Sequence, residues 1–415
     1  MPGLITERNF PTSWTIKRFK YCAQICNGGE YSDIEVEEGG YPVIGSGGEF
    51  ARASKFSYCG KSVLLGRKGT VDKPLFVDGA FWCVDTMFYT KIKDFMYEKY
   101  LYYCALCFPF DYYVTSTALP SMTQRDLGSQ EIAVPPKKEQ NAIADFLDKE
   151  CAKIDSIAAD LEKQVTLLQQ YKKSLITETV TKGLDKSVPM KDSGIEWIGK
   201  IPAHWDFKRL KFMLENSSDS MKVGPFGSAL SGSDFTDEGK WVYNQRVVLD
   251  NNFSENTTFV SEEKYQEMRS FAVYPGDILI TTRGTIGKVA IVPEGANEGI
   301  LHPCIIKFRV DKEMIIPELL QLIFNESDFV KDQFALMSNA TTIEVIYSYS
   351  LRDILLPVIP ADEQEKIYAY LSKKCMAIDG IIAEKQKAFT TITQHKKSLI
   401  YEYVTAVRWP SKQGN

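Results

Sequence analysis

The sequence predicts an α+β chain in which two mixed α/β domains of one type alternate with two long helices that pair as a coiled coil, the whole forming an internal repeat. Three observations carry this. The stretch from Glu139 to Thr181 returns from Glu363 to Thr405 without a gap, at an offset of 224 residues that holds from Glu139/Glu363 to Lys172/Lys396. Within each copy, apolar residues step by three and four, as paired helices require. Outside the copies, the texture changes to short β-rich runs separated by glycine.

In chain order, the first unit opens on Pro11-Thr12-Ser13-Trp14, followed by Lys17-Arg18-Phe19-Lys20, and the second on Pro202-Ala203-His204-Trp205, followed by Lys208-Arg209-Leu210-Lys211. The two tryptophans read as anchors that pack these lead-ins onto a core. Next come the predicted strands Tyr41 to Ile44, Ser62 to Leu65, Leu75 to Val77 and Phe81 to Tyr89, and a helix near Lys91 to Phe108. In the second unit Asp277 to Ile291 reads as two strands around a turn, and it shares a Gly-Thr-x-x-Lys core with Leu64 to Lys73 of the first. Prolines at Pro135-Pro136 and at Pro357 and Pro360 end a strand and let each long helix start afresh at Glu139 or Asp362.

About half the positions of the two helical copies are identical, among them Cys151/Cys375, Ile154/Ile378 and Asp155/Asp379. The predicted seam is Leu147, Ile154, Leu161, Leu168 and Leu175 in one helix and Leu371, Ile378, Phe389, Ile392 and Leu399 in the other, with Lys172, Lys385 and Lys396 interrupting it. Each helix runs about 45 residues, or roughly 65 Å at 1.5 Å per residue. One narrow apolar stripe is too little to fold alone, so each helix is expected to cover the other's. The boundaries that follow are 1–138 and 201–362 for the α/β domains, 139–184 and 363–407 for the helices, 185–200 for a linker and 408–415 for a tail.

Composition places the chain among ordinary soluble globular proteins, with 44% hydrophobic and 25% charged residues. Neither a membrane-spanning run nor a secretory leader is visible, and the odd count of 9 cysteines suits free thiols in a reducing cytoplasm. Cys104 and Cys107 have a CxxC spacing, but no second pair or nearby histidine completes a metal site. Gly60-Lys61-Ser62 ends like a phosphate-binding loop, yet Lys55 stands where its first glycine is required. With only His204, His302 and His395, on different elements, no catalytic or metal-binding constellation emerges.

What remains is a surface suited to nucleic acid. Arg52, Lys55, Lys61, Arg67, Lys68 and Lys73 face a single acid, Asp72, in that stretch. Arg67-Lys68-Gly69-Thr70 and Thr282-Arg283-Gly284-Thr285, with Lys288 beyond, set a cation beside bare backbone, which fits a guanine edge or a phosphate. Further candidates are Gln124, Arg125, Lys222, Gln245, Arg246, Asn339, Thr341 and Thr342. Net charge of −5 decides neither way, because a basic face can coexist with acidic helices.

The chain resembles the specificity subunits of type I restriction-modification systems. The resemblance rests on Met190 to Trp205, which includes Ser193-Gly194-Ile195-Glu196-Trp197, on Pro135 to Gln140 at the first helix start, and on the Lys-Lys-Ser-Leu-Ile helix ends. Gly224 to Ser228 and Pro275 to Leu279 look like parts of that family's target-recognition domains. Two departures stand out: the first unit lacks the Ser-Gly-Ile-Glu-Trp lead-in, and the second helix start lacks the double proline. The resemblance implies two target-recognition domains, each reading half of a split, asymmetric site in double-stranded DNA. An antiparallel helix pair of pseudo-twofold symmetry would set the spacer. Two adenine-N6 methyltransferase subunits, and restriction subunits, would bring S-adenosylmethionine, ATP and Mg, while this chain would hold no cofactor and do no catalysis in the cytoplasm. A coiled-coil scaffold that binds proteins without DNA is the competing expectation.

Overall fold

The computed structural model describes residues 11–113, 120–226, 229–338 and 345–407. The chain is α+β, with helices Lys137–Lys182 and Ala361–Val404 far longer than the rest. Two compact units result. One takes the chain up to Glu162 and again from Lys385; the other is Lys163–Glu384. Each long helix therefore starts in one unit and ends in the other.

In the first unit, Thr15–Arg18 pairs antiparallel with Glu131–Val134, Thr15 opposite Val134, so the lead-in is zipped to the strand that feeds the long helix. Between them lie two four-stranded sheets. One has the order Ala23–Asn27, Met87–Ile92, Ser62–Gly66, Leu75–Val77; the other Gly48–Ala53, Tyr41–Gly45, Ala80–Cys83, Tyr58–Cys59. Ser62–Gly66 is buried throughout, which is why its sequence is a continuous apolar run rather than an alternating one. The expected strand Phe81 to Tyr89 is two strands around a turn, and the second runs to Ile92. The helix expected from Lys91 accordingly begins only at Glu98 and ends at Ala105.

The second unit repeats the plan. Asp206–Arg209 pairs antiparallel with Leu355–Val358. One sheet orders Met221–Val223, Ile305–Phe308, Ile278–Thr281, Val289–Ile291, and a five-stranded sheet orders Phe235–Thr236, Phe259–Val260, Lys240–Tyr243, Gly299–Leu301, Ala272–Val273. Asp277, 1% exposed, is fully engaged: its carboxylate accepts from Tyr274 N at 2.8 Å, Lys307 Nζ at 3.3 Å and Arg309 Nε at 2.5 Å. The span expected to be a linker carries a hairpin, Met190–Asp192 against Lys200–Pro202, and Ile198 and Ile201 join the core.

Both units attach their long helices by the same contacts. Trp14 Nε1 donates to Glu139 at 2.9 Å and Trp205 Nε1 to Glu363 at 3.0 Å. The next residues, Gln140 and Gln364, are each 1% exposed and make three hydrogen bonds. Gln140 accepts from Tyr97 N and donates to Phe95 O and Pro135 O. Gln364 accepts from Ile316 N and donates to Met314 O and Ile359 O. The Glu-Gln pair thus bolts each α/β domain to a helix start.

The first unit's core holds Ile143, Ala144, Leu147 and Cys151 from the start of one helix with Ile400 and Val404 from the end of the other. There the helices run in opposite directions, since Phe146 stacks on Tyr403 at 4.5 Å while Asp155 meets Lys396 at 2.6 Å. The second unit's core joins Ile367, Leu371 and Cys375 with Ile176 and Val180. Lys172 bonds Asp379 at 2.8 Å and Glu326 at 2.7 Å. Two of the three lysine interruptions of the seam, Lys172 and Lys396, are therefore one ion pair occurring twice, because Lys396 and Asp379 lie 224 residues beyond Lys172 and Asp155. Burial alone would lower the pKa of Lys172, but hydrogen bonds to Asp379 and Glu326 leave it above the ordinary lysine value. Of the expected seam, Leu147, Ile154, Leu371 and Ile378 are buried, while Leu161, Leu168, Leu175, Phe389, Ile392 and Leu399 are half-buried.

Among the described residues no helix is long and apolar enough to cross a membrane, and no group of His, Cys, Asp or Glu is placed to hold a metal ion. The 9 cysteines are unpaired, and burial pushes the Cys83 and Cys107 thiols up to about 12.

Candidate nucleic-acid interface

The strand Ser62–Gly66 leads straight into the loop that carries Arg67, Lys68 and Thr70. The loop doubles back so tightly that a Cβ on Gly66 would sit 2.4 Å from Thr70 O. Gly69 has a φ of +80°, a left-handed value that glycine adopts without strain. Backbone bonds then dock the loop on the chain ahead of the helix Gln124–Ser129. Met122 N donates to Arg67 O at 3.0 Å, Gly69 N to Pro120 O at 2.8 Å, and Lys68 bridges Ser121. Thr123 and Asp126 form a reciprocal cap at the helix start, and Gln124 donates to Asn27 at 2.9 Å. Lys68, Thr70, Gln124 and Arg125 are exposed together, and Arg67 lies half-buried beneath them, donating to Asp85 O at 3.1 Å.

The second unit builds the same dock. Ile346 N donates to Thr282 O at 2.9 Å, Arg283 bridges Val345, and Gly284 has a φ of +64°. Ser121-Met122 and Val345-Ile346 are separated by the same 224 residues as the helices, and the docked loops are Lys68-Gly69-Thr70 and Arg283-Gly284-Thr285. Gln245 reaches this loop from another element, its amide donating to Thr285 O at 3.3 Å from the first residue of the helix Gln245–Asp250. Arg283, Thr285 and Arg246 are exposed, with Arg246 leaning on Asp250 at 3.4 Å.

Several expected residues are placed otherwise. Thr282 is 5% exposed and its hydroxyl donates to Cys304 O at 2.9 Å, so it holds the loop rather than facing outward. Lys288 turns inward onto Asn325 O at 2.8 Å, and burial holds its pKa below the ordinary lysine value. Arg52 clamps its own loop, donating to Gly39 O and Gly40 O at 2.8 Å and to Glu49 at 2.9 Å. Lys61 lies 3.9 Å from Glu98, and Lys222 sits over the Phe271 ring at 5.1 Å. Lys73 is exposed on the same connection as Arg67, whereas Lys55 is exposed on a turn that follows a strand of the other sheet. The basic residues between Arg52 and Lys73 thus do not form one patch, because half of them belong to the other sheet or are already paired. Asn339, Thr341 and Thr342 lie outside the described residues, as does the tail 408–415. Two exposed tyrosines beside Arg283, Tyr347 and Tyr349, escaped the sequence reading; carrying the 224-residue alignment upstream of the helix would have found them opposite Thr123 and Arg125.

Residues 11–167 and 222–397, most of the chain, match the family described as the type I restriction modification DNA specificity domain. The chain belongs to this DNA specificity family. Both matched segments contain a docked loop and most of a long helix, so the family pattern covers the repeated plan rather than one domain. The specificity subunit of the type I restriction enzyme MjaVIII from Methanocaldococcus jannaschii is 24% identical over 289 residues, 68% of this chain and 63% of that protein. That of EcoBI from Escherichia coli is 22% identical over 345 residues, 78% of this chain and 71% of its own. The chain matches less than two thirds of the archaeal relative's length. A structure from work on the complex assembly and conformational transition of the type I R-M system superposes with a TM-score of 0.67 at 13% identity, covering 96% of this chain and 99% of the other. At that identity the likeness establishes the fold of the specificity family and nothing finer.

Proposed function

We propose that the chain is a non-catalytic DNA specificity subunit whose two α/β domains, 1–138 and 201–362, each read one half of a split, asymmetric site. Its long helices pair as an antiparallel coiled coil and set the spacer between the halves. It directs two adenine-N6 methyltransferase subunits, and restriction subunits with them, to that site. The observation that supports this best is the twice-built dock. One backbone framework carries Lys68-Gly69-Thr70 in one unit and Arg283-Gly284-Thr285 in the other, while the side chains gathered around it differ. A constant frame with changed side chains is what reading two different half-sites requires, since phosphate contacts hold register and base-edge contacts carry sequence. The paired seam lysines support the helix pairing, because a polar pair at a fixed seam position selects one register over its neighbours.

The test is duplex binding by the full chain across a salt series. Wild type should give a steep negative dependence of log K on log salt, and Arg283→Ala should lessen the slope by about one if the guanidinium meets a phosphate. In cells, N6-methyladenine mapping of the Arg283→Ala strain should show loosened recognition at one half of an interrupted motif. A wild-type chain without salt-dependent affinity would point to a protein-binding scaffold and end this reading. Equal loss at both halves would end the assignment of one domain to each half.

A further inference from the structure

We propose that Tyr347 and Tyr349 form a paired aromatic contact to the DNA duplex in the second unit, an inference that rests on the docked loop being a DNA-reading element. The two residues stand 224 positions after Thr123 and Arg125, on the same framework and immediately beyond Val345, which bridges Arg283. Their rings lie parallel in an offset stack, with centroids 5.4 Å apart and planes at 8°. They are nevertheless 53% and 66% exposed.

Folding does not account for them. The helix Ser348–Arg352 buries Leu351 alone, so neither ring is held by the core. Thr123 caps its helix with a reciprocal pair of hydrogen bonds, whereas Tyr347 occupies the N-cap position without a side-chain bond. The sequence forgoes a stabilising cap here and sets an apolar surface in water, the kind of local rule-breaking expected at functional positions. Stacking gives the pair a fixed orientation before any ligand arrives, so little rotamer freedom is lost on contact.

The surroundings select a polyanion. Arg283 and Arg352 are exposed nearby, and Lys211, over the exposed Phe212 ring at 5.2 Å, adjoins the same short helix. Asp353, which follows this short helix, already pairs with Arg209 and Lys211 at 3.2 Å. Against a duplex, phenol hydroxyls can donate to phosphate oxygens or to base-edge acceptors, and ring faces can cover a sugar or a thymine methyl. Where the first unit offers a guanidinium, Arg125, the second offers an uncharged pair. The two units should therefore differ in how much of their affinity depends on salt.

That difference makes the test. Full-length Y347A/Y349A and R283A chains are titrated against the same duplex, carrying the motif found by methylation mapping, across a salt series. The tyrosine variant should bind about tenfold more weakly with the wild-type slope, because neutral side chains release no counterions. R283A should lessen the slope instead. If R283A behaves so while Y347A/Y349A binds like wild type, or loses only its copurification with methyltransferase subunits, the tyrosine assignment is overturned and the DNA reading survives. If wild type does not bind the duplex, the DNA reading itself fails. A measurement that needs no variant is photocrosslinking of the wild-type chain to bromouracil-substituted duplex. The adduct should map to the peptide bearing Tyr347 and Tyr349, and adducts confined to other peptides of the second unit would overturn the proposal.

Discussion

Replacing Gln364 by alanine should uncouple the second α/β domain from its helix at a cost that can be worked out from three hydrogen bonds. The side chain is 1% exposed and accepts from Ile316 N at 2.9 Å while donating to Met314 O at 3.0 Å and Ile359 O at 2.8 Å. Ile316 caps the helix Pro317–Glu326 without a side-chain bond of its own, so its N–H has no replacement from that helix. Each lost bond is worth about 1 kcal/mol net, and each group left buried without a partner costs about 1–3 kcal/mol. Water admitted to the vacated space would solvate some of the three, which brings the expected loss to about 3 kcal/mol. Gln364→Glu should do no better, because a carboxylate cannot donate to the two carbonyls. Hydrogen exchange read by mass spectrometry tests this peptide by peptide. Protection should fall around Ile316 and Ile359 and spare the peptides from Thr15 to Val134, and Gln140→Ala should show the mirror pattern. A loss below about 1 kcal/mol, or equal loss of protection in both units, would refute the reasoning.

Two further outcomes follow from other parts of the chain. His302 is kept neutral by burial, its pKa lowered, with Nδ1 accepting from Cys304 N at 3.1 Å. The unfolded chain then takes up its proton first, so stability should fall as pH drops below the ordinary histidine value of about 6.5, by at most about 1.4 kcal/mol per pH unit. His302→Asn keeps an acceptor and does not titrate; melting between about pH 7 and 5.5 should lose that part of the dependence, and an unchanged dependence would exclude His302 as its source. Removing one heptad from each long helix shortens the pair by about 10 Å, so the spacer in the methylated motif should contract by about three base pairs. An unchanged spacer would refute the helices as its measure.

Much of this architecture is legible without coordinates because it is written in local spacing. The helix starts come within two residues of expectation: Lys137 for Glu139 and Ala361 for Asp362. The interface residues were harder to read. Arg52, Lys61 and Arg67 look alike along the chain, yet only Arg67 belongs to the docked loop, while Arg52 is spent on its own turn. Lys288 follows the Gly-Thr motif and was expected to face outward, but Asn325, far along the chain, draws it inward. The meaning of Lys172 and Lys396 was equally hidden, since each looks like a flaw in an apolar stripe until its aspartate partner is placed beside it.

By itself the sequence determined the duplication, the two long helices and the order of elements, because periodicity and a constant offset are properties of neighbouring residues and of copying. Only the tertiary structure decided which copy of each helix end enters which core, that Lys172 and Lys396 each meet an aspartate, and that Tyr347 and Tyr349 follow the segment that bridges Arg283. Those outcomes depend on which distant strand or helix supplies a carbonyl, a carboxylate or a covering side chain. Burial and hydrogen bonding between residues of different elements leave no trace in local spacing, so the fold must form before a cation can be told apart as clamp, core or reader.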